Sequence, residues 1–127
     1  MVDHVADQTS LAPTLLELAG APKADWMPSP SLVPLLQGDS AGQAQGLAFC
    51  QYLEINSIFK PPLHGSVGVI DGQYQYVMAL NNQLGGLRPL SEAEVWNLDD
   101  TAQNPERAKA LREILAAKFP DLVRRTA

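Results

Sequence analysis

"SVGVIDGQYQYVMAL", residues 66–80, decides the fold class. Apolar and polar residues alternate on either side of Asp71-Gly72, the pattern of strands with one buried face. An Asp-Gly pair between two such runs predicts a tight hairpin of type I′, whose two central residues both take positive φ. On the second arm Tyr74, Tyr76, Met78 and Leu80 line one face, while Gln73, Gln75 and Val77 line the other.

Working outward, "LAFCQYLEI" (47–55) reads as a largely buried strand, and "INSIFKPPLHG" (55–65) as a long irregular connection around Pro61-Pro62. On the other side "NNQLGGLRPLSEA" (81–93) reads as a polar loop and "EVWNL" (94–98) as a short final strand. Asn104-Pro105 then opens a terminal helix as N-cap and first helical residue. Ala108, Leu111, Ile114, Leu115 and Phe119 fall on one side of it, Lys109 and Glu113 sit four apart on the other, and Pro120 ends it.

At the front of the chain, Val2–Val5 could supply a short edge strand, and "SLAPTLLELAGAP" (10–22) reads as a helix. Ser10 suits the N-cap, its oxygen reaching the amide of Ala12. Pro13 lies in the first turn, where its missing N–H costs nothing. Leu11, Leu15 and Leu18 make a stripe that Ala12, Leu16 and Ala19 widen. With only Thr14 and Glu17 left for solvent, this predicts a core helix. Gly20 supplies the stop and Pro22 forbids resumption. Pro22, Pro28, Pro30 and Pro34 make an extended crossing, "SLVPLLQG" (31–38) a brief helical turn, and "DSAGQAQG" (39–46) a loop. The whole reads as α+β: a small four-stranded antiparallel sheet with an N-terminal helix and a C-terminal helix packed on it. We expect a single domain over 1–127, with a helical lead-in at 1–38, the sheet within 47–98 and the terminal helix at 104–119.

Composition narrows the function classes. Hydrophobic residues at 46% and charged residues at 18% describe a globular chain. A net charge of −5 argues against gripping a phosphate backbone, so no nucleic-acid partner is expected. The lone Cys50 excludes an internal disulfide and a cysteine-rich metal site, and its apolar surroundings predict a buried, inert thiol. No leading signal segment and no run near the roughly 20 apolar residues of a membrane span are present, which leads us to expect a cytoplasmic protein with no membrane partner.

Catalytic patterns are sparse. There is no Walker loop, dinucleotide glycine fingerprint or nucleophile elbow, and "LGGL" (84–87) reads as a bend. His4 and His64 are far apart in the chain, and Asp3, Asp7 and Glu54 would have to converge to hold a metal; we expect neither metal nor cofactor. Asp99, Asp100 and Glu106 could bind calcium or divide acid–base roles, yet they also make an ordinary turn and a negatively charged helix start. His64, in "PPLHGS", has a pKa suited to proton transfer but no partner assignable by spacing; Asp71 or Glu54 would have to serve. If the chain binds a small molecule or an anion, Tyr52, Phe59 and His64 are the residues expected to line the cleft.

Four stretches, in this order, resemble the C-terminal part of the sulfatase family, within the alkaline-phosphatase superfamily. "SLAPTLLELAGAP" is similar to the segment that ends the family's catalytic domain. "PSLVPLLQG" is similar to its Ser-Leu-x-Pro-Leu-Leu-x-Gly segment, through Ser31, Leu32, Pro34, Leu35, Leu36 and Gly38. "VGVIDGQYQYV" resembles its strand-turn-strand, and "EVWNLDDTAQNPE" its Leu-Tyr-Asp-Leu strand and acidic turn. The resemblance implies a C-terminal subdomain that, in whole sulfatases, packs beside the main α/β domain and helps shape the pocket rim.

The departures are specific. Ser10 stands where the family writes Asp, Ile70 where it writes Arg before the turn, and Gln75 where it writes Lys after it. The Asp-Pro-x-Glu turn is shortened to Asp100-Thr101-Ala102-Gln103. The family's nucleophile motif, Cys or Ser followed by x-Pro-Ser-Arg, occurs nowhere; "MPSPSLV" has Pro-Ser pairs without the arginine. Sulfate-ester hydrolysis needs an activated nucleophile and a calcium-type cation. The expectation is therefore a chain that is not an enzyme, with no catalytic or metal-ligating residues, and that associates with copies of itself through apolar surface.

Overall fold

A computed structural model describes residues 4–39, 46–54, 64–92 and 99–123. The chain divides into two compact units, Met1–Ala48 and Phe49–Ala127. Helices precede a four-stranded antiparallel sheet and helices follow it, an α+β arrangement.

In the first unit, a 3₁₀ turn at Gln8–Ser10 leads directly into α1, Leu11–Leu18. Ser10 does not cap α1 through its side chain, contrary to the sequence reading. Its own φ and ψ of −80° and −13° are already helical, whereas a capping residue needs extended dihedrals. The cap moves upstream to Asp7, which is extended and accepts from the Thr9 amide at 2.9 Å. Thr14, expected at the surface, is buried: its hydroxyl donates to Ser10 O at 2.6 Å and accepts from Leu32 N at 2.8 Å. That hydroxyl fastens α1 to the segment entering α2, Val33–Leu36.

Gly20, at φ +69°, ends α1 as predicted. Ala21 N donates to Leu16 O and Gly20 N to Glu17 O, the paired bonds of a Schellman stop. The bonds Asp39 N to Pro34 O and Gly38 N to Leu35 O repeat the device after α2. The expected edge strand at Val2–Val5 is not formed where it can be seen, since His4 and Val5 are irregular; its first residues lie outside the described ones.

In the second unit the strands are β1 (Ala48–Leu53), β2 (Gly65–Ile70), β3 (Tyr74–Ala79) and β4 (Gly85–Pro89), lying side by side in that order. The hairpin falls where it was predicted, with Val67 opposite Met78 and Val69 opposite Tyr76. Its turn type differs. Ile70 pairs with Gln75, and Asp71 N donates to Tyr74 O at 3.1 Å, so the two loop residues are Gly72 and Gln73. Gly72 has φ +89°, and Gln83 alone among described non-glycine residues has positive φ. A glycine first and a negative φ second is the sign pattern of type II′, not I′. Asp71 precedes the loop, and its Oδ1 accepts the amides of Gln73 at 3.0 Å and Tyr74 at 2.8 Å.

The fourth strand corrects the sequence reading. It lies at Gly85–Pro89, inside the stretch expected to be a polar loop, while the expected strand at 94–98 lies outside the described residues. Two glycines erase the alternation that would have announced it. Gly85 is there because the Tyr76 hydroxyl occupies the space of a side chain, 2.0 Å from where a Cβ would stand. Pairing sets the rest: Leu87, opposite Tyr76, enters the core fully buried.

The long helix α3, Pro105–Lys118, covers the sheet face carrying Val67, Val69, Tyr76, Met78 and Leu87. Ala108, Leu111 and Leu115 are buried against it, with Ile114 and Phe119 half-buried beside them, the face read from sequence. Each fully buried Leu, Val or Met contributes about 1.5–3 kcal/mol. Pro105 begins α3, but the Asn104 side chain does not cap it; its Nδ2 instead donates to Asp100 Oδ2 at 2.5 Å. Pro120 both stops α3 and starts α4, Pro120–Val123, whose Val123 joins the core.

Candidate functional site

Strand alternation decides where the sequence-predicted ligand residues go. Phe49, stacked edge-on against Phe119 with centroids 6.0 Å apart, turns toward the helices, so Cys50 and Tyr52 turn the other way. Tyr52 is 64% exposed, and His64, just ahead of β2, is exposed as well. Their backbones are neighbours: Glu54 N donates to His64 O at 3.3 Å, and a Cβ at Gly65 would strike Tyr52 O. Phe59 lies outside the described residues. Neither Tyr52 nor His64 lines either of the two clefts described below.

Cys50 is exposed, which corrects the expectation of a buried thiol. Partial burial still pushes its pKa up, keeping it protonated and a poor nucleophile near neutrality.

The larger cleft, about 420 Å³, opens between the tip of the β2–β3 hairpin and the first turn of α3. Gln73 and Tyr74 form one wall, and Gln103, Asn104, Pro105, Glu106 and Arg107 the other. Arg107 is the hub. Its Nη2 stands 2.5 Å from Asp71 Oδ2, its guanidinium lies 5.9 Å from the Tyr74 ring centroid, and it reaches Gln73 Oε1 at 3.5 Å. The Asp71 side chain is only 9% exposed, so the ion pair is sheltered from solvent on that side. Asp71, one of the two carboxylates considered as a partner for His64, is committed to its own turn and to α3. In the sequence the pair shows only as an Asp ahead of a turn and an Arg in the first turn of α3, joined by no spacing rule. A second cleft, about 300 Å³, is lined by Pro13, Glu17, Ala21, Lys23, Pro30 and Ser31, and Lys23 Nζ there donates to Met27 O at 3.0 Å.

The acidic turn is structural in its geometry. Asp99 Oδ1 accepts from Thr101 Oγ1 at 2.5 Å, Thr101 N at 3.0 Å and Leu87 N at 3.2 Å, while Asp100 N donates to Leu87 O at 2.8 Å. The turn thus satisfies both backbone groups of Leu87 on the outer edge of β4. The Thr101 hydroxyl, then its amide, hold the Asp99 carboxyl below its ordinary value; burial opposes them, and the Leu87 amide adds a lesser lowering. Among the described residues no three His, Cys, Asp or Glu side chains are grouped to hold a metal ion.

Arg88 brings a cation to the sheet face that alternation turns away from Leu87 and the core. Position 75, where the resembling family writes Lys, is Gln, and Arg88 on the next strand pairs with it and donates to its Oε1. Among the described residues no helix is long and apolar enough to cross a membrane.

No family model matches the chain, and no curated protein matches it. Solved structures do. BT4656, determined in complex with its substrate D-glucosamine-2-N,6-O-disulfate, is similar with a TM-score of 0.71 at 16% identity, over 92% of this chain and 25% of its own. BT1596, a 2-O GAG sulfatase, is similar at 0.62 and 21% identity, over 91% and 24%. A phosphonate monoester hydrolase from Silicibacter pomeroyi is similar at 0.58 and 16% identity, over 92% and 25%. The chain spans about a quarter of the length of these proteins. Its fold is that of a quarter-length portion of sulfatases and of a phosphonate monoester hydrolase.

Proposed function

We propose that this chain is non-catalytic, a counterpart of the C-terminal part of a sulfatase-type hydrolase whose role is structural and whose apolar surface associates with a second copy. The observation that carries this reading is on α1. Leu11, Leu15 and Leu18 are 59%, 57% and 62% exposed along one helical stripe. Three leucines at that spacing cost free energy in water and favour any partner that covers them. Two further facts support it. The chain has about a quarter of the length of the hydrolases it is similar to, and its sequence holds no Cys/Ser-x-Pro-Ser-Arg motif.

The test is light scattering on the purified chain at micromolar concentration, beside Leu15→Glu. A dimer or larger species that the substitution converts to a monomer still unfolding in one cooperative transition, with the lower midpoint that loss of association brings, is the expected result. A strict monomer removes the self-associating role. Turnover of an aryl sulfate that survives removal of contaminating enzymes removes the non-catalytic one.

A further inference from the structure

No further inference is drawn: the strongest candidate, the open cleft between the β2–β3 hairpin tip and the first turn of α3 where Tyr74, Asn104 and Arg107 gather, rests on a helix N-terminus whose polar side chains are engaged with Asp71, Gln73 and Asp100, and nothing in the structure points to an occupant.

Discussion

α1 and α3 invert the usual relation between apolar pattern and burial. α1 carries the cleaner stripe, yet Leu11, Leu15 and Leu18 stand in solvent and the helix buries Pro13 and Thr14 instead. α3 is written mostly in Ala, Glu, Lys and Arg, yet Leu111 and Leu115 are 2% and 0% exposed. Periodicity reports which face would gain from a partner. Whether the partner is at hand depends on the rest of the chain, and here the sheet supplies one for α3.

Truncating the two leucines should separate the helices most sharply. Leu115→Ala opens a cavity under α3 and should cost about 3 kcal/mol. The melting midpoint would then fall by roughly 10 °C. In the monomer, diluted below any self-association, Leu15→Ala should stay within about 0.5 kcal/mol, as exposed substitutions do. Equal losses in the monomer would mean that α1 is covered within the chain itself. The next effect in size concerns how α3 is tied to the hairpin. Arg107→Met leaves the Asp71 carboxylate buried without its cation and should cost about 1–3 kcal/mol, less than a fully buried pair because Arg107 is 40% exposed. The double variant with Asp71→Asn should recover part of that loss. A double-mutant cycle with no coupling would show that the pair does not join α3 to the turn. Smaller again, Thr14→Val removes both hydrogen bonds of the buried hydroxyl and should cost about 1–2 kcal/mol. Its signature is local: faster amide exchange at Leu32, with residues of the sheet unchanged.

The same contrast explains what could be read from the sequence. The hairpin and the buried face of α3 were legible because alternation and helical spacing persist over many residues around Val67–Leu80 and Ala108–Phe119. β4 was not, because Gly85 and Gly86 answer to the Tyr76 ring and the pairing with β3, which are tertiary facts. The turn type is not legible because Asp71-Gly72 has the look of a two-residue loop, whereas the Asp71 carboxylate holds the amides that follow and meets Arg107. At the site, Tyr52 and His64 do come near one another through their backbones, but strand alternation faces Tyr52 outward and His64 lies exposed. Exposure of Cys50 follows from the same alternation, once Phe49 is known to stack on Phe119.

The smallest effect tests whether the acidic turn braces β4 or only passes it. Asp99 is exposed, so its hydrogen bonds are screened and the gain is modest. Its pKa is lowered in the folded chain from an ordinary value of 3.8, so the folded state holds the carboxylate more tightly than the unfolded state does. Stability from this group is then complete above that ordinary value and is lost as the pH falls through the lower folded one. Asp99→Asn should therefore lower the melting midpoint slightly at neutral pH, and the gap to the unaltered chain should close as the pH is taken below 3.8. Thr101→Val should behave alike, since the hydroxyl is the leading cause of the shift. If the gap is instead constant with pH, the loss comes from the Asx turn's shape, and the charge on Asp99 contributes nothing to the edge of β4.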